Sequence, residues 1–295
     1  MEKNIYKSLP DFLIKHYKDG NHKGVQTHTR IRNDDYNVKG GSYSIAPEEL
    51  PDFFYWYHQH IFINKQPEYL TEKQIENGPL LVDFDFRYSY DVETRIHNET
   101  HVNDMILLYT EVLRKCYVFN EDQKFDVFIM EKPNVNRVAV DEVTKDGIHM
   151  LFGIQIDHTM QQIIREMVLK ELPDYWDDLP LKNGFDSVLD EGISKGTTNW
   201  QLFGSKKPGN EAYELTLHYE LQYTENTDNF EWIQKDVRDF DMKNCFYKLS
   251  AQNQKNAKFE IHPNMLSFYE ERKNKKRKRP VSQAIVKKLV VNEID

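Results

Sequence analysis

Leu80-Leu81-Val82-Asp83-Phe84-Asp85-Phe86 is the stretch on which the reading of this chain turns. Apolar residues run unbroken to Val82, and Phe84 and Phe86 then alternate with two aspartates, the pattern of a β-strand. Alternation puts Asp83 and Asp85 on one face, with Cβ atoms roughly 7 Å apart. Two carboxylates that close repel, and in a half-buried sheet a cation removes the conflict. Hard oxygen donors on one face suit Mg²⁺ or Mn²⁺. A lone D-x-D more often forms the wet face of an antiparallel strand. The metal reading gains only if other polar groups converge on the pair.

The 295 residues suffice for one large domain or two small ones. With 39% hydrophobic and 29% charged residues, the composition is that of a soluble globular chain. The net charge of −9 excludes a general polyanion-binding surface, so a nucleic-acid site must be a local basic patch. Cys116 and Cys245, far apart, can build neither a disulfide framework nor a cysteine-based zinc module, and they fit a reducing interior. No apolar run reaches membrane-span length and the N-terminus lacks a signal core, so an intracellular location is expected.

Around the aspartate strand the chain alternates element types. Residues 25–31 read as a strand bearing His28 and Arg30, and residues 42–45 as its hairpin partner. Pro47-Glu48-Glu49 starts a helix that runs to about residue 63, with Phe53, Phe54, Tyr57 and Ile61 inward. Residues 87–100 form a polar loop. Residues 102–119 form an amphipathic helix through Met105, Leu108, Val112 and Cys116. Strands are expected at 125–130 and 147–154, separated by a polar loop at 134–146. A second helix covers 159–172. Ser187-Val188-Leu189-Asp190 reads as a short strand ending on a carboxylate, and residues 200–203 as the next strand. Residues 214–223 add one more.

Strand, helix, strand, strand, helix, strand from Leu80 to Ser205 is the split β-α-β order of ferredoxin-like or RNA-recognition folds, so the class is α+β. Residues 272–279 are a basic run, read as an exposed linker: a nuclear-import or nucleic-acid patch, or a plain solvated tail. A short amphipathic helix is expected over 282–291.

Further polar groups fall on this framework. His149 lies on a strand, with Lys145 four residues earlier in the loop. Asp190 offers a third carboxylate. Ser205 and Lys207 sit in a Gly-flanked turn, where backbone N–H groups and an ammonium can hold phosphate oxygens.

Taken together these motifs resemble the archaeo-eukaryotic primase superfamily, and within it the primase (prim-pol) domain of primase-helicases of nucleocytoplasmic large DNA viruses. Asp83-Phe84-Asp85 matches its D-x-D strand. Lys145-Asp146-Gly147-Ile148-His149 matches its small-x-His motif with a preceding Lys, Leu189-Asp190 its apolar-Asp motif, and Ser205-Lys206-Lys207 its Ser-x-Lys. Thr27-His28-Thr29 and residues 41–45 match the viral subgroup. The resemblance covers about residues 25–210.

It implies an N-terminal α/β module (1–78), an RRM-like split β-α-β catalytic module (79–225) and a C-terminal extension (226–270). A basic tail at 271–295 would lead toward a helicase. It implies primer synthesis by template-directed nucleotidyl transfer with two Mg²⁺ or Mn²⁺ ions on Asp83, Asp85 and Asp190, and no zinc. His149, Lys145, Ser205, Lys207 and Arg87 would bind the nucleotide, with His28 a further candidate. Single-stranded DNA template, nucleoside triphosphates and a replicative helicase are the implied partners, with no membrane. The expected location is the host nucleus or a cytoplasmic viral replication site. The chain departs from the pattern at Gln201, where relatives often carry an arginine, and Lys195 or Arg87 is the candidate replacement. Two other classes stay open: a metal-dependent nuclease, suggested by the acid pair and Glu131-Lys132, and a non-catalytic single-stranded nucleic-acid-binding module.

Overall fold

A computed structural model describes residues 6–19 and 24–278 of the chain. Helix α1 (Leu9–Lys15) is capped by Ser8, whose Oγ accepts from the Asp11 N–H. Strands β1 (His28–Arg30) and β2 (Gly41–Tyr43) pair antiparallel. Helix α2 (Leu50–His58) follows the Pro47 turn and continues as a π-helical turn, Gln59–Ile63. β3 (Leu70–Glu72) closes on the other edge of β1.

Then come β4 (Asn77–Ser89), α3 (Glu99–Cys116), β5 (Tyr117–Val118), β6 (Lys124–Glu131), β7 (Asn136–Val138), β8 (Val143–Asp157) and α4 (His158–Tyr175). Two single-turn helices, α5 (Phe185–Val188) and α6 (Glu191–Ser194), precede β9 (Trp200–Gln201) and the hairpin of β10 (Glu214–Thr224) and β11 (Asn229–Lys235). α7 (Met242–Cys245), β12 (Glu260–Ile261) and α8 (Pro263–Lys278) follow.

The larger sheet runs β11-β10-β6-β8-β4, antiparallel throughout, with β7 pairing the first residues of β8. β4 and β6 are both antiparallel to β8, which lies between them, so β4-α3-β6 is a split β-α-β unit. Val82, Phe84 and Phe86 of β4 pack beneath α3 and α4 with Met105, Val112 and Ile164. The opposite face is covered by the smaller sheet, β2-β1-β3-β9, and by α1 and α2. Leu81, Phe128, Met130 and Leu151 of the larger sheet belong to that second core, with Phe53, Tyr57, Trp200 and Leu202.

Several expectations are corrected here. Residues 187–190 are no strand: α5 ends at Val188, and Asp190 caps α6 by accepting from the Ile193 N–H. A capping aspartate followed by a short turn outcompetes extension in so brief an apolar segment. Residues 200–201 do form a strand, but β9 pairs with β3 in the smaller sheet. The free edge of β4 is served instead by irregular chain. Lys182 N–H donates to the Arg87 carbonyl, Asn183 binds the Arg87 N–H and the Asp85 carbonyl, Leu189 bridges Phe84, and the Asp190 N–H donates to the Asp83 carbonyl.

Lys145 lies on β8 and not in a loop, because residues 136–145 fold as an edge hairpin whose one buried side chain, Thr144, is itself polar and gives no apolar pattern to reveal it. The start of the basic run is helix and not linker. Arg272 pairs with Glu166 at 2.7 Å and Lys273 with Asp157 at 2.7 Å, which docks α8 on α4. Residues 279–295, including the helix expected at 282–291, lie outside the described residues.

Candidate active site

β4 changes character midway. Leu81 faces the second core, but two and four residues on, Asp83 and Asp85 occupy the same face where the covering module ends. His149 stands directly across from Asp83 in the β4–β8 register, and Gly147 across from Asp85. The imidazole is held between two rings, Tyr213 at 3.7 Å and Trp200 at 4.2 Å between centroids. Its Nε2 lies 3.4 Å from Asp83 Oδ1, longer than a good hydrogen bond.

A side chain at Gly147 would be driven into the backbone, its Cβ 2.5 Å from the Phe84 carbonyl oxygen. The small residue of the small-x-His motif is therefore a requirement of close strand approach.

Asp190 completes the group. Capping α6 uses its Oδ1, and its backbone is tied to Asp83. Asp83, Asp85 and Asp190 each offer a carboxylate oxygen, and these oxygens all lie within 4.8 Å of one another. Asp83 Oδ1 is buried without a hydrogen-bond partner among the described residues. A buried, unpartnered carboxylate oxygen is costly, and a cation satisfies it. An all-oxygen, all-anionic donor set fits a hard divalent cation.

The electrostatics follow from this crowding. Burial pushes the Asp83 carboxyl up, but the His149 imidazole, then Lys207 and Lys132, outweigh it and hold it below the usual carboxylate range. Asp85 goes the other way. Partial burial, then the Asp83 carboxylate and more weakly Asp190, push it up to about 7 against the pull of Lys207 and Lys132.

The other expected residues divide. Lys207 is exposed beside the acids and forms no ion pair among the described residues. Lys145 and Arg87 face each other on the acid-bearing side, four residue pairs along the ladder from Asp83 and His149. Lys145 is tied to Asp141 at 2.9 Å, and Arg87 is exposed and without an ion-pair partner among the described residues.

Ser205 is not presented to the cluster. It is 1% exposed, and its Oγ lies 2.8 Å from the Tyr57 hydroxyl and accepts from the Leu70 N–H. The Gln201 side chain donates to the Ser205 carbonyl. Lys195 is paired with Glu191. His28 is fully buried in the smaller sheet against Phe53, with Nδ1 on the Thr27 hydroxyl, and Arg30 forks onto Glu68. Neither reaches the acids, because β1 is a central strand of a different sheet.

Sequence reasoning missed Arg95, His97 and the two rings that clamp His149, and it named Lys132 only beside Glu131 for the nuclease reading. Lys132 follows β6 on the acid-bearing side, its ammonium 4.9 Å above the Tyr213 ring that stacks on His149. Burial first, then Lys207, lowers its pKa, while Asp83 and Asp85 raise it. Arg95 donates to the Lys132 carbonyl and forks onto Asp146, and His97 bonds Glu131 at 2.7 Å. Counting alternate residues forward from Met130, opposite His149, would have found Lys132. Arg95 and His97 sit in an aperiodic loop that gives no such signal.

The model described as "C962R protein N-terminal AEP domain", an archaeo-eukaryotic primase domain, matches residues 29–219. This chain belongs to that family. The matched span holds all three carboxylates, His149 and Lys207. Over 213 residues the chain is also 28% identical to "Putative helicase L207/L206" of Acanthamoeba polyphaga mimivirus, covering 70% of this chain and 21% of that relative. The chain thus spans about a fifth of the length of the curated relative it matches. The primase domain of a viral primase-helicase is what both similarities support. No helix among the described residues is long and apolar enough to cross a membrane.

Proposed function

We propose that this primase-family chain is a DNA-directed primase-polymerase, extending a strand by metal-dependent, template-directed nucleotidyl transfer to supply primers for viral DNA replication. On this reading the larger sheet with α3 and α4 is the RRM-like catalytic module, and the N-terminal α/β module packs on its acid-bearing face. The observation that carries the reading is the convergence of Asp83, Asp85 and Asp190 within 4.8 Å, with one buried oxygen that has no hydrogen-bond partner among the described residues.

These carboxylates would hold Mg²⁺ or Mn²⁺. When bound, such ions neutralise triphosphate charge and lower the pKa of an attacking hydroxyl. The chain's own cations do the rest. Lys207, Arg87 and Lys132 flank the acids and take phosphate oxygens, and Lys145 joins them on leaving Asp141. His149, fixed between Trp200 and Tyr213, donates a hydrogen bond to a phosphate without losing rotamer freedom. Single-stranded DNA and nucleoside triphosphates are the substrates. A replicative helicase, covalent or separate, is the partner, at an intracellular replication site.

The nuclease reading is weakened by Glu131. Its carboxylate is bound by His97 and the Thr216 hydroxyl on the side of the sheet away from the acids.

Labelled nucleotides, primed single-stranded template and Mg²⁺ or Mn²⁺ test the proposal. The wild type should lengthen the primer, and Asp83→Asn should slow extension by orders of magnitude with unchanged circular dichroism. Extension by Asp83→Asn at the wild-type rate, or shortening of the template, sinks it. Binding of template without any dependence on Asp190 or metal would favour the non-catalytic module.

A further inference from the structure

A cavity of about 500 Å³ shares no residue with the acid cluster. It lies between α2 and residues 243–255, within the roughly 300–1,000 Å³ range of small-molecule sites. Phe54, Phe246, Tyr55 and Tyr247 give it aromatic walls.

Its charged lining has one sign. Lys243 and Lys255 contribute, and none of the lining residues is an Asp or Glu, although acids outnumber Lys and Arg by 48 to 39 in the chain. Lys243 and Lys255 are exposed and form no ion pair among the described residues. The Lys255 ammonium lies 5.1 Å above the Tyr247 ring. His58 is 7% exposed, and its Nδ1 is buried with no hydrogen-bond partner among the described residues.

Flat aromatic faces beside free ammonium groups match a heterocyclic base joined to a phosphate. The cavity shares Tyr247, Asn253 and Lys255 with a smaller one of about 150 Å³, whose own lysines are already engaged, Lys248 with Asp126 at 2.7 Å and Lys124 with Glu220 at 3.3 Å. We propose that this cavity binds one nucleotide unit of single-stranded nucleic acid, its base on the aromatic wall and its phosphate between Lys243 and Lys255. The inference rests on the polymerase reading, which makes a single strand the substrate, and adds a contact point outside the acid cluster. α2 links the two places. Phe54 and His58 face the cavity, while the Tyr57 hydroxyl donates to the Phe203 carbonyl at the turn that carries Lys207.

The test uses the full chain in EDTA, with an oligothymidylate carrying 5-iodouracil as the photoprobe. Cross-links should map to Tyr55 or Tyr247. The Lys243→Glu/Lys255→Glu double variant should bind the oligonucleotide at least tenfold more weakly and with a shallower salt dependence. With metal restored, it should raise the template KM while leaving kcat within twofold. Cross-links mapping elsewhere, or wild-type affinity in the double variant, overturn the inference. So does free thymidine triphosphate displacing the probe as well as unlabelled oligonucleotide does, since that marks a free-nucleotide site. Asp83→Asn separates the two readings. A cross-link without primer extension in the wild type removes the polymerase reading only. Extension abolished by Asp83→Asn, with the double variant indistinguishable from wild type, removes the cavity only.

Discussion

Asp85 is the residue on which the cost of the site falls most visibly. Its carboxyl is pushed up to about 7, far above an unfolded aspartate near 3.9, by burial and by Asp83. A group whose folded pKa is raised in this way resists ionising. The metal-free protein therefore loses stability as pH rises from about 4 to 7, and keeps it where the carboxyl stays protonated. Asp85 is exposed, so solvent screening leaves an effect of order 1 kcal/mol. Asp85→Asn should raise the metal-free Tm at pH 7.5 by about 2–4 °C, and should abolish the Mn²⁺-induced rise expected of the wild type. Melting curves at pH 5.5 and 7.5, with and without Mn²⁺, check this, and a variant that melts lower than wild type without metal refutes it. Gly147→Ala acts through space alone. Its methyl meets the Phe84 carbonyl at 2.5 Å, and forcing it in should cost about 1–3 kcal/mol and loosen His149 two residues on. Denaturant titration of the variant measures that cost.

At the scale of elements, Asp157 joins two helices. Its Oδ1 caps α4 at the Thr159 and Met160 N–H groups, and its Oδ2 takes Lys273 and Tyr269 of α8. Against burial, Lys273 first and then Tyr269 hold the carboxyl below its usual range. Its folded pKa is thus depressed, so its contribution is complete above about pH 3.9 and disappears as pH falls through the folded value. Asp157→Ala should cost about 1–2 kcal/mol at pH 7, and the gap from wild type should be smaller at pH 3 than at pH 7. Thermal melts at the two pH values decide it.

Elements with one wet and one buried face are legible in the order of residues alone. Alternation announces β4, the spacing of Met105, Leu108, Val112 and Cys116 announces α3, and both end within a few residues of expectation. The D-x-D pair, His149 and Asp190 stand out for the same reason, as polar residues breaking an apolar pattern. What pattern cannot show is which sheet a short strand joins. His28 looks like a neighbour of the acids in sequence terms, yet β1 assorts with β3, and residues 200–201, read as a strand of the same sheet as the acids, join β3 as well and bring Trp200 onto His149 from the smaller sheet. Ser205 likewise reads as a phosphate ligand until Tyr57, 148 residues away, takes up its hydroxyl.

Across the whole molecule, the larger sheet carries a core on each side. Leu81, Phe128, Met130 and Leu151 depend on the N-terminal module for cover, and burial of each is worth about 1.5–3 kcal/mol. A chain begun at residue 76 should therefore lose cooperative unfolding and aggregate, whereas the intact chain melts in one transition. Calorimetry with light scattering tells them apart, and a soluble, cooperatively folding fragment would show the larger sheet and its helices to be self-sufficient.

The ring sandwich around His149 has its own consequence for assembly. Trp200 arrives from the smaller sheet and Tyr213 from the approach to β10, so the imidazole is clamped only once both halves have docked. A nascent chain with just the larger sheet formed would already display two carboxylates on β4 but would leave the imidazole swinging. On the proposed mechanism, primer extension would wait until both halves have docked.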